Sequence, residues 1–323
     1  LEKGSVEGGK KMKALMTGAA GFISSHLLDV LLKRGYSVTG IDNLSVGRMS
    51  NLAGHVLDDN FVFERCDIRD QRKLTKLFRY EFDVVFHLAA SADIRKSLKD
   101  HHADLDNNVV GTVNLLDCCV KSGVKDFVFA SSSAVYGEAK VVPTPETYMP
   151  TQTSLYGASK LACESFLQGF TEMSDLHCWA YRFANVVGER CRRGVVGDFV
   201  RKLQTNPKVL EILGDGKQSK EYLYVQDCIE GMLTGYRKSN GRFNVFNLGV
   251  PKQTCVDEVA DIVIREMRLK NVKRKYTGGR RGWVGDNPVV NLSLEKIKRL
   301  GWKPKVSSEE AIKRTARWNM KNE

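Results

Sequence analysis

The segment Thr17-Gly-Ala-Ala-Gly-Phe-Ile-Ser24 constrains this chain more than any other. It follows the apolar run Lys13-Ala-Leu-Met-Thr17, which reads as a strand. It opens residues 21–34, where Phe22, Leu27, Leu28, Leu31 and Leu32 recur at helical spacing before Gly35 stops the helix. A strand, a tight glycine turn and a helix start together make an anion site. Gly18 permits the turn, and Gly21 lets the backbone approach a pyrophosphate at the helix N-terminus. The third small position of such a turn holds Ser24, which predicts tight helix–sheet packing without loss of the site. The bland alternative is a helix start with no ligand. Asp42, at the end of the next strand, tips the balance. A carboxylate there accepts both ribose hydroxyls of an adenosine and repels a 2′-phosphate, so NAD is favoured over NADP.

The first half continues in the same rhythm. Strands are expected at 37–41, 61–65, 83–87, 127–131 and 178–183, and helices at 70–80, 104–122 and 153–172. Strands separated by helices mean βαβ units and a doubly wound parallel α/β sheet. After about Asn185 the pattern loosens into short strands at 209–213 and 243–247. Helices follow at 227–237, 256–268, 294–300 and 308–320, with a Gly/Arg-rich loop at 277–285. The expected organisation is a dinucleotide-binding domain at 12–184 and a smaller, mainly substrate-binding α/β lobe at 185–323. Part of 223–249 is expected to pack back on the first domain. Residues 1–11 lack an apolar signal-peptide core and read as a tail ahead of a start at Met12.

Composition closes off other classes. With 42% hydrophobic and 27% charged residues, the 323-residue chain is neither disordered nor fibrous. No apolar run is long enough to span a membrane. The eight cysteines form no CxxC pair and read as reduced core thiols of a cytoplasmic protein, with no metal site. The net charge is +12, and fifteen Lys/Arg against five Asp/Glu lie from Lys270 onward. Such a surface attracts anions, a phosphorylated substrate among them. Aromatic residues are not interleaved as in an RNA-recognition module, so a nucleic-acid partner is not expected.

Two further clusters carry chemistry. Tyr156 and Lys160 stand at i and i+4 on one helix face. A phenol with an unperturbed pKa of about 10 is a poor base at neutral pH, and a nearby ammonium pulls it down. The segment Ala130-Ser-Ser-Ser-Ala-Val-Tyr-Gly137 leaves the carboxyl end of a strand, where open parallel sheets bind ligands. A Ser hydroxyl there is able to steer a substrate proton to Tyr156. Alone, the pair reads as a surface contact and the serines as a polar strand exit.

With these motifs in order, the chain resembles the extended short-chain dehydrogenase/reductase family, in its nucleotide-sugar epimerase branch. The likeness extends through Asp42-Asn-Leu-Ser, Cys66-Asp-Ile, His87-Leu-Ala-Ala, Asp106-Asn-Asn-Val-Val-Gly-Thr112, Arg182-Phe-Ala-Asn-Val-Val-Gly188 and Leu300-Gly-Trp-Lys-Pro304. The resemblance implies a Rossmann-type fold in which Phe22 and Ile23 approach the pyrophosphate. It implies that Asp42, Asn43 and Ser45 hold the adenosine ribose and that Asp67 and Ile68 border the adenine. Leu88, Ala89 and Ala90 line the cofactor, with Asn107 nearby. Counting back from Val135-Tyr136-Gly137, the catalytic hydroxyl is Ser132, with Tyr156 as base, Lys160 as its partner and Asn185 facing the sugar nucleotide. The helices at 104–122 and 153–172 would join two copies in a four-helix bundle, making a homodimer.

The implied activity is C4 epimerisation of a nucleotide sugar, UDP-glucose/UDP-galactose first, through a transient 4-keto sugar. UDP-N-acetylglucosamine or UDP-glucuronate are alternatives, and a 4-ketoreductase or a non-catalytic RNA-binding relative are the rivals. Dehydratase relatives carry an acid after the catalytic hydroxyl, where this chain has Ser133 and Ala134. The family's substrate-side Arg-Asp pair is Lys220-Glu221 here; Lys220 is still expected to neutralise the substrate's diphosphate but loses the bidentate fork. Trp283 replaces the usual Arg before Gly285-Asp286, so Arg280 and Arg281 are the expected phosphate ligands. Leu155 replaces a Pro before the catalytic Tyr, and Val290 stands where some members have a bulky Tyr that excludes N-acetyl sugars.

Overall fold

The computed structural model describes residues 11–92 and 98–322. The expected tail lies outside these residues except for Lys11, whose Nζ donates to Asn60 Oδ1 at 2.7 Å. The strands are β1 (Lys13–Thr17), β2 (Ser37–Asp42), β3 (Phe61–Arg65), β4 (Val84–His87), β5 (Asp126–Ser132) and β6 (His177–Phe183). Then come β7 (Asn185–Val187), β8 (Val209–Ile212), β9 (Ser219–Lys220), β10 (Tyr222–Tyr224), β11 (Phe243–Leu248), β12 (Thr254–Cys255) and β13 (Lys273–Tyr276). The helices are α1 (Phe22–Lys33), α2 (Gln71–Leu77), α3 (His102–Asp104), α4 (Gly111–Ser122) and α5 (Leu155–Met173). They continue as α6 (Val195–Thr205), α7 (Val225–Lys238), α8 (Val256–Glu266), α9 (Glu295–Lys298) and α10 (Ser308–Asn322).

The chain divides into two compact units. The first takes the residues up to Val135, Leu155–Arg182 and Met232–Phe246, and the second takes Tyr136–Ser154, Phe183–Gly231 and Asn247 onward. Residues 136–154, read above as part of a continuous 12–184, therefore group with the second unit. Their hydrogen bonds explain this. Tyr136 Oη donates to Asn247 Oδ1 at 2.7 Å, and Asn247 Nδ2 donates to the Thr144 carbonyl at 3.0 Å.

In the first unit the described residues form a seven-stranded sheet in the order β11-β6-β5-β4-β1-β2-β3. The pairs β1·β2, β1·β4, β2·β3 and β4·β5 are parallel. Ala14, Leu15 and Met16 of β1, Val84, Val85 and Phe86 of β4, and Phe127, Val128 and Phe129 of β5 are all fully buried. Strands covered on both faces carry continuous apolar runs instead of alternation. The order reverses at β1, whose neighbours are β4 and β2, and the carboxyl ends of β1 and β4 there bear the Gly18 turn and the Leu88–Ala90 segment. A ligand crevice forms at such a switch point.

Three elements depart from expectation. The helix expected at 104–122 is α3, a π-helical stretch Leu105–Val110 and α4 in succession. Helix α2 stops at Leu77 after starting from an Asp70 cap that accepts the Lys73 N–H at 3.1 Å. In the second unit, α6 occupies a stretch read as irregular. It buries Val196, Phe199, Val200 and Leu203, an amphipathic spacing masked in the sequence by Gly194 and Gly197 around its start. That unit holds three small pairings among described residues, β10·β7 and β13·β8 parallel and β12·β9 antiparallel.

Candidate functional site

The glycine turn is fixed sterically. Gly18 has φ +67°, a region that L side chains avoid, and a Cβ there would lie 2.9 Å from the Ala89 backbone. Gly21 donates its N–H to the Gly18 carbonyl at 2.8 Å, and a Cβ on Gly21 would lie 2.9 Å from that same oxygen. Gly21 caps α1 without a side-chain bond, and the first turn holds no acidic residue. The first intrahelical donor is Ser25, to Gly21 at 3.1 Å, so the amides of Phe22, Ile23 and Ser24 precede the helix ladder. Ser24 is 3% exposed, so a side chain of its size is accommodated at the helix–sheet contact. These features fit a dinucleotide pyrophosphate: a backbone cradle that a Cβ would fill, at a positive helix end with no acidic residue in its first turn.

Asp42 accepts the Ala20 N–H at 3.1 Å and the Leu44 N–H at 2.7 Å. Burial raises its pKa, and the two backbone bonds oppose the rise. Each carboxylate oxygen keeps a second lone pair for a ribose hydroxyl. Asn43 donates to Asp67 Oδ2 at 3.0 Å and accepts the Ser45 N–H at 3.0 Å. Two side-chain bonds from Arg69, at 3.0 and 2.8 Å, hold the Asp67 carboxyl well below the usual range. Asp67 also lines an open cleft of about 450 Å³ with Arg69, Asp70, Asp106 and Val110. Ile68 is buried against Gly111. Leu88, Ala89 and Ala90 follow β4, each partly exposed.

A buried relay that the sequence reading passed over pins this turn. Thr17 Oγ1 donates to His87 Nδ1 at 2.6 Å and accepts the Ala89 N–H at 3.1 Å. His87 Nε2 donates to Thr112 Oγ1 at 2.9 Å, and that hydroxyl donates to the Asn108 carbonyl at 2.6 Å. The chain of donors assigns the tautomer. Full burial, with the Lys160 charge second, pushes His87 well below its ordinary value, so it stays neutral. The relay fixes Ala89, the backbone against which Gly18 packs.

The π-turn decides between two adjacent asparagines. Asn107 Nδ2 turns back to the Ala103 carbonyl at 2.6 Å. Asn108 is 1% exposed; it accepts the Ser91 N–H at 2.8 Å and donates to Ser159 Oγ at 2.9 Å. Asn108 therefore ties the segment after Ala90 to α5. One residue of register separates the two, and only the π geometry tells them apart.

Ser132, Tyr156 and Lys160 come together at the end of β5. The Ser132 hydroxyl is hydrogen-bonded to the Tyr156 phenol and accepts the Ala134 N–H at 3.2 Å. Lys160 Nζ donates to the Ala130 carbonyl at 2.8 Å and lies 4.6 Å from the Phe129 ring centre. In the protein alone the phenol stands above its ordinary value. Burial pushes the phenol up to about 12; the Ser132 bond lowers it, and the charges of Asp104 and Cys163 raise it further. The Lys160 ammonium lies 6.0 Å from the Tyr156 ring centre. Burial itself pulls Lys160 down to about 8.

In the second unit, Asn185 opens β7 and is exposed, opposite Tyr222 of β10. Lys220 Nζ lies 2.5 Å from Asp286 Oδ1 and 5.0 Å from the Trp283 ring centre, with its side chain 14% exposed. Its charge is thus committed to Asp286. Glu221 is fully buried, accepts the Leu292 and Val250 N–H groups at 2.7 and 3.2 Å, and is pushed up to about 8 by burial. Arg281 and Arg280 both meet Glu138, the latter at 3.6 Å, and both remain largely exposed.

The profile of the NAD dependent epimerase/dehydratase family matches residues 14–249. The UDP-glucose 4-epimerase of Mycolicibacterium smegmatis is 33% identical over 309 residues, covering 94% of this chain and 97% of its own. The crystal structure of UDP-glucose 4-epimerase from Thermotoga maritima, solved with UDP-glucose, superposes with a TM-score of 0.86 at 35% identity, covering 96% and 99% of the two chains. The UDP-glucuronic acid 4-epimerase of Bacillus cereus, solved with UDP-glucuronic acid and NAD, gives 0.88 at 29% identity, covering 96% and 99%.

Proposed function

The chain belongs to the NAD dependent epimerase/dehydratase family, and on that premise we propose that it is an isomerase that inverts C4 of a UDP-sugar, UDP-glucose/UDP-galactose first. The observation that carries this reading is the Ser132–Tyr156–Lys160 constellation at the end of β5. It is followed by a 3-10 turn, Ser133–Tyr136, that contains no acid. Eliminating water needs a proton donor that Ser133 and Ala134 do not provide, whereas epimerisation needs one group that takes a proton and gives it back. Gly18, Gly21, Phe22, Ile23 and Asp42 hold the NAD, with Asn43, Ser45, Asp67, Ile68 and Leu88–Ala90 around it. Bound NAD supplies the hydride acceptor and a positive ring charge that favours the phenolate.

Within that frame the side chains divide the work. Tyr156 takes the proton of the sugar 4-hydroxyl through Ser132 and returns it to the same oxygen after the keto sugar has turned its other face to the site. Lys160 stabilises the phenolate. Net redox change is zero, so a 4-ketoreductase, which consumes reduced cofactor, is separated by stoichiometry. Incubating the protein with UDP-glucose and following UDP-galactose by proton NMR, with no added cofactor, tests the assignment. A product that forms only as reduced cofactor is consumed would refute it.

Three narrower expectations follow. Lys220 is largely buried with Asp286, whereas Arg280 and Arg281, though both meet Glu138, stay exposed, so the diphosphate falls to them. Arg281→Ala is expected to raise KM for UDP-glucose about tenfold with kcat unchanged, the loss of one charge-assisted bond. Lys220→Met leaves Asp286 buried and unpaired, so its effect is expected in the melting temperature instead of KM. Val290, small and partly exposed, leaves room for an acetamido group. Comparable turnover of UDP-glucose and UDP-N-acetylglucosamine is expected, and exclusion of the acetylated sugar would overturn it. Finally, Leu105, Val110 and Val120 on the α3–α4 run, with Phe166 and Met173 on α5, are exposed apolar residues that suit a homodimer. Phe166→Glu is expected to halve the mass measured by light scattering. We place the enzyme in the cytoplasm, where its thiols stay reduced.

A further inference from the structure

Along α5, Tyr156, Lys160 and Glu164 repeat at every fourth residue and share one face. The four last residues of β5 meet that face one after another. The Phe129 ring lies under the Lys160 ammonium, and the Ala130 carbonyl accepts from it at 2.8 Å. Ser131 Oγ donates to Glu164 Oε1 at 2.5 Å, and the Ser132 hydroxyl is bonded to Tyr156. Glu164 is 4% exposed and is gripped by Arg182 of the neighbouring strand β6. The Arg182 Nη2–Oε2 distance is 2.6 Å, and Nε lies 3.0 Å from Oε1.

We propose that Glu164, clamped by Arg182, is a positioning residue that holds the Ser132 end of β5 against the Tyr156–Lys160 face of α5. The proposal rests on Tyr156 being the base. Stability alone is a poor reason for such a pair, since apolar residues of similar volume replace buried ion pairs at little or no cost. What the pair adds is a fixed geometry: a planar fork on a carboxylate allows one arrangement, and the third partner of that carboxylate is the residue beside Ser132. Charge adds to geometry. The groups acting on Lys160 are Tyr156, Cys163 and Glu164 from α5, Asp104 from α3 and His87 from β4, with Arg182 of β6 behind Glu164. Among the acids, Glu164 is one helical turn away and supports the ammonium against its own burial.

Two variants of the NAD-bound protein test this. Glu164→Gln keeps the size and an oxygen for Ser131 but removes the charge. We expect turnover about tenfold lower with KM for UDP-glucose within about twofold, the pattern of a loss confined to the transition state. We also expect the Lys160 titration, read by NMR on 13C-labelled lysine, to move down by about one pH unit. Ser131→Ala cuts only the strand tether. Its turnover is expected to fall about threefold to tenfold while the Lys160 titration stays put. A folded Glu164→Gln protein with an unmoved Lys160 titration overturns the proposal, as does Ser131→Ala at wild-type turnover. The second outcome decides the matter if Glu164→Gln does not fold. An active Tyr156→Phe enzyme would instead defeat the base assignment, so the two failures are distinguishable.

Discussion

Tyr156→Phe is expected to lower epimerisation by about 10²–10⁴-fold, the usual contribution of a positioned proton-transfer group, while NAD remains bound. The phenol meets Ser132 at the end of β5, and on the proposed reading it exchanges a proton with the substrate hydroxyl through that contact. The ring stays in the variant, so the packing of α5 on β5 through Lys160 is unchanged. The cofactor cradle, built from the Gly18 turn and Asp42, lies on other elements. Turnover and NAD content measured on the same sample separate the two roles. Turnover within tenfold of wild type would show that another group carries the proton. The phenol is pushed up to about 12 in the protein alone, so the wild-type rate is expected to rise with pH as the phenolate fraction grows, until loss of the Lys160 proton at about 8 opposes the gain.

The second large effect is expected from Gly18→Ala. One methyl group meets two separate obstacles: a backbone at φ +67° and the Ala89 Cα and N at 2.9 Å. The backbone penalty is on the order of 1–2 kcal/mol. The contact is with backbone that the Thr17–His87 relay pins, so it is not relieved by a side-chain rotation. The turn must open, and the amides of Phe22 and Ile23, which the proposal assigns to the pyrophosphate, then shift. Purified Gly18→Ala protein is expected to hold less than about a tenth of the wild-type NAD, since 1.4 kcal/mol is already tenfold in affinity. Full NAD occupancy in that variant would mean that the cradle lies elsewhere. Gly21→Ala is expected to behave alike, because its added carbon meets the Gly18 carbonyl oxygen.

Much of this architecture was legible before any coordinates. The strand–turn–helix at Lys13–Lys33 and the alternation through β6 follow from local periodicity and from the punctuation of Gly18, Gly21 and Gly35. The Tyr156–Lys160 pairing on one face follows from the helical repeat alone. Short-range patterns survive in a sequence because neighbours along the chain create them.

What the chain order conceals is whatever depends on which distant groups end up dry together. The π-helical stretch Leu105–Val110 selects Asn108 over Asn107 for the contact with Ser159. Asp286 neutralises Lys220 across 66 positions, and Arg182 reaches Glu164 from another strand. Neither pairing has a spacing that could be read in advance. The tyrosine pKa is the clearest case. The i,i+4 rule places an ammonium on the same helix face, but burial is the largest influence on the phenol and drives its value up in the protein alone. Desolvation belongs to the packed structure and has no address in the sequence. The residue types and the local elements were thus settled by the chain itself, while the protonation states and the partners of each charge were decided when the sheet and α5 closed over them.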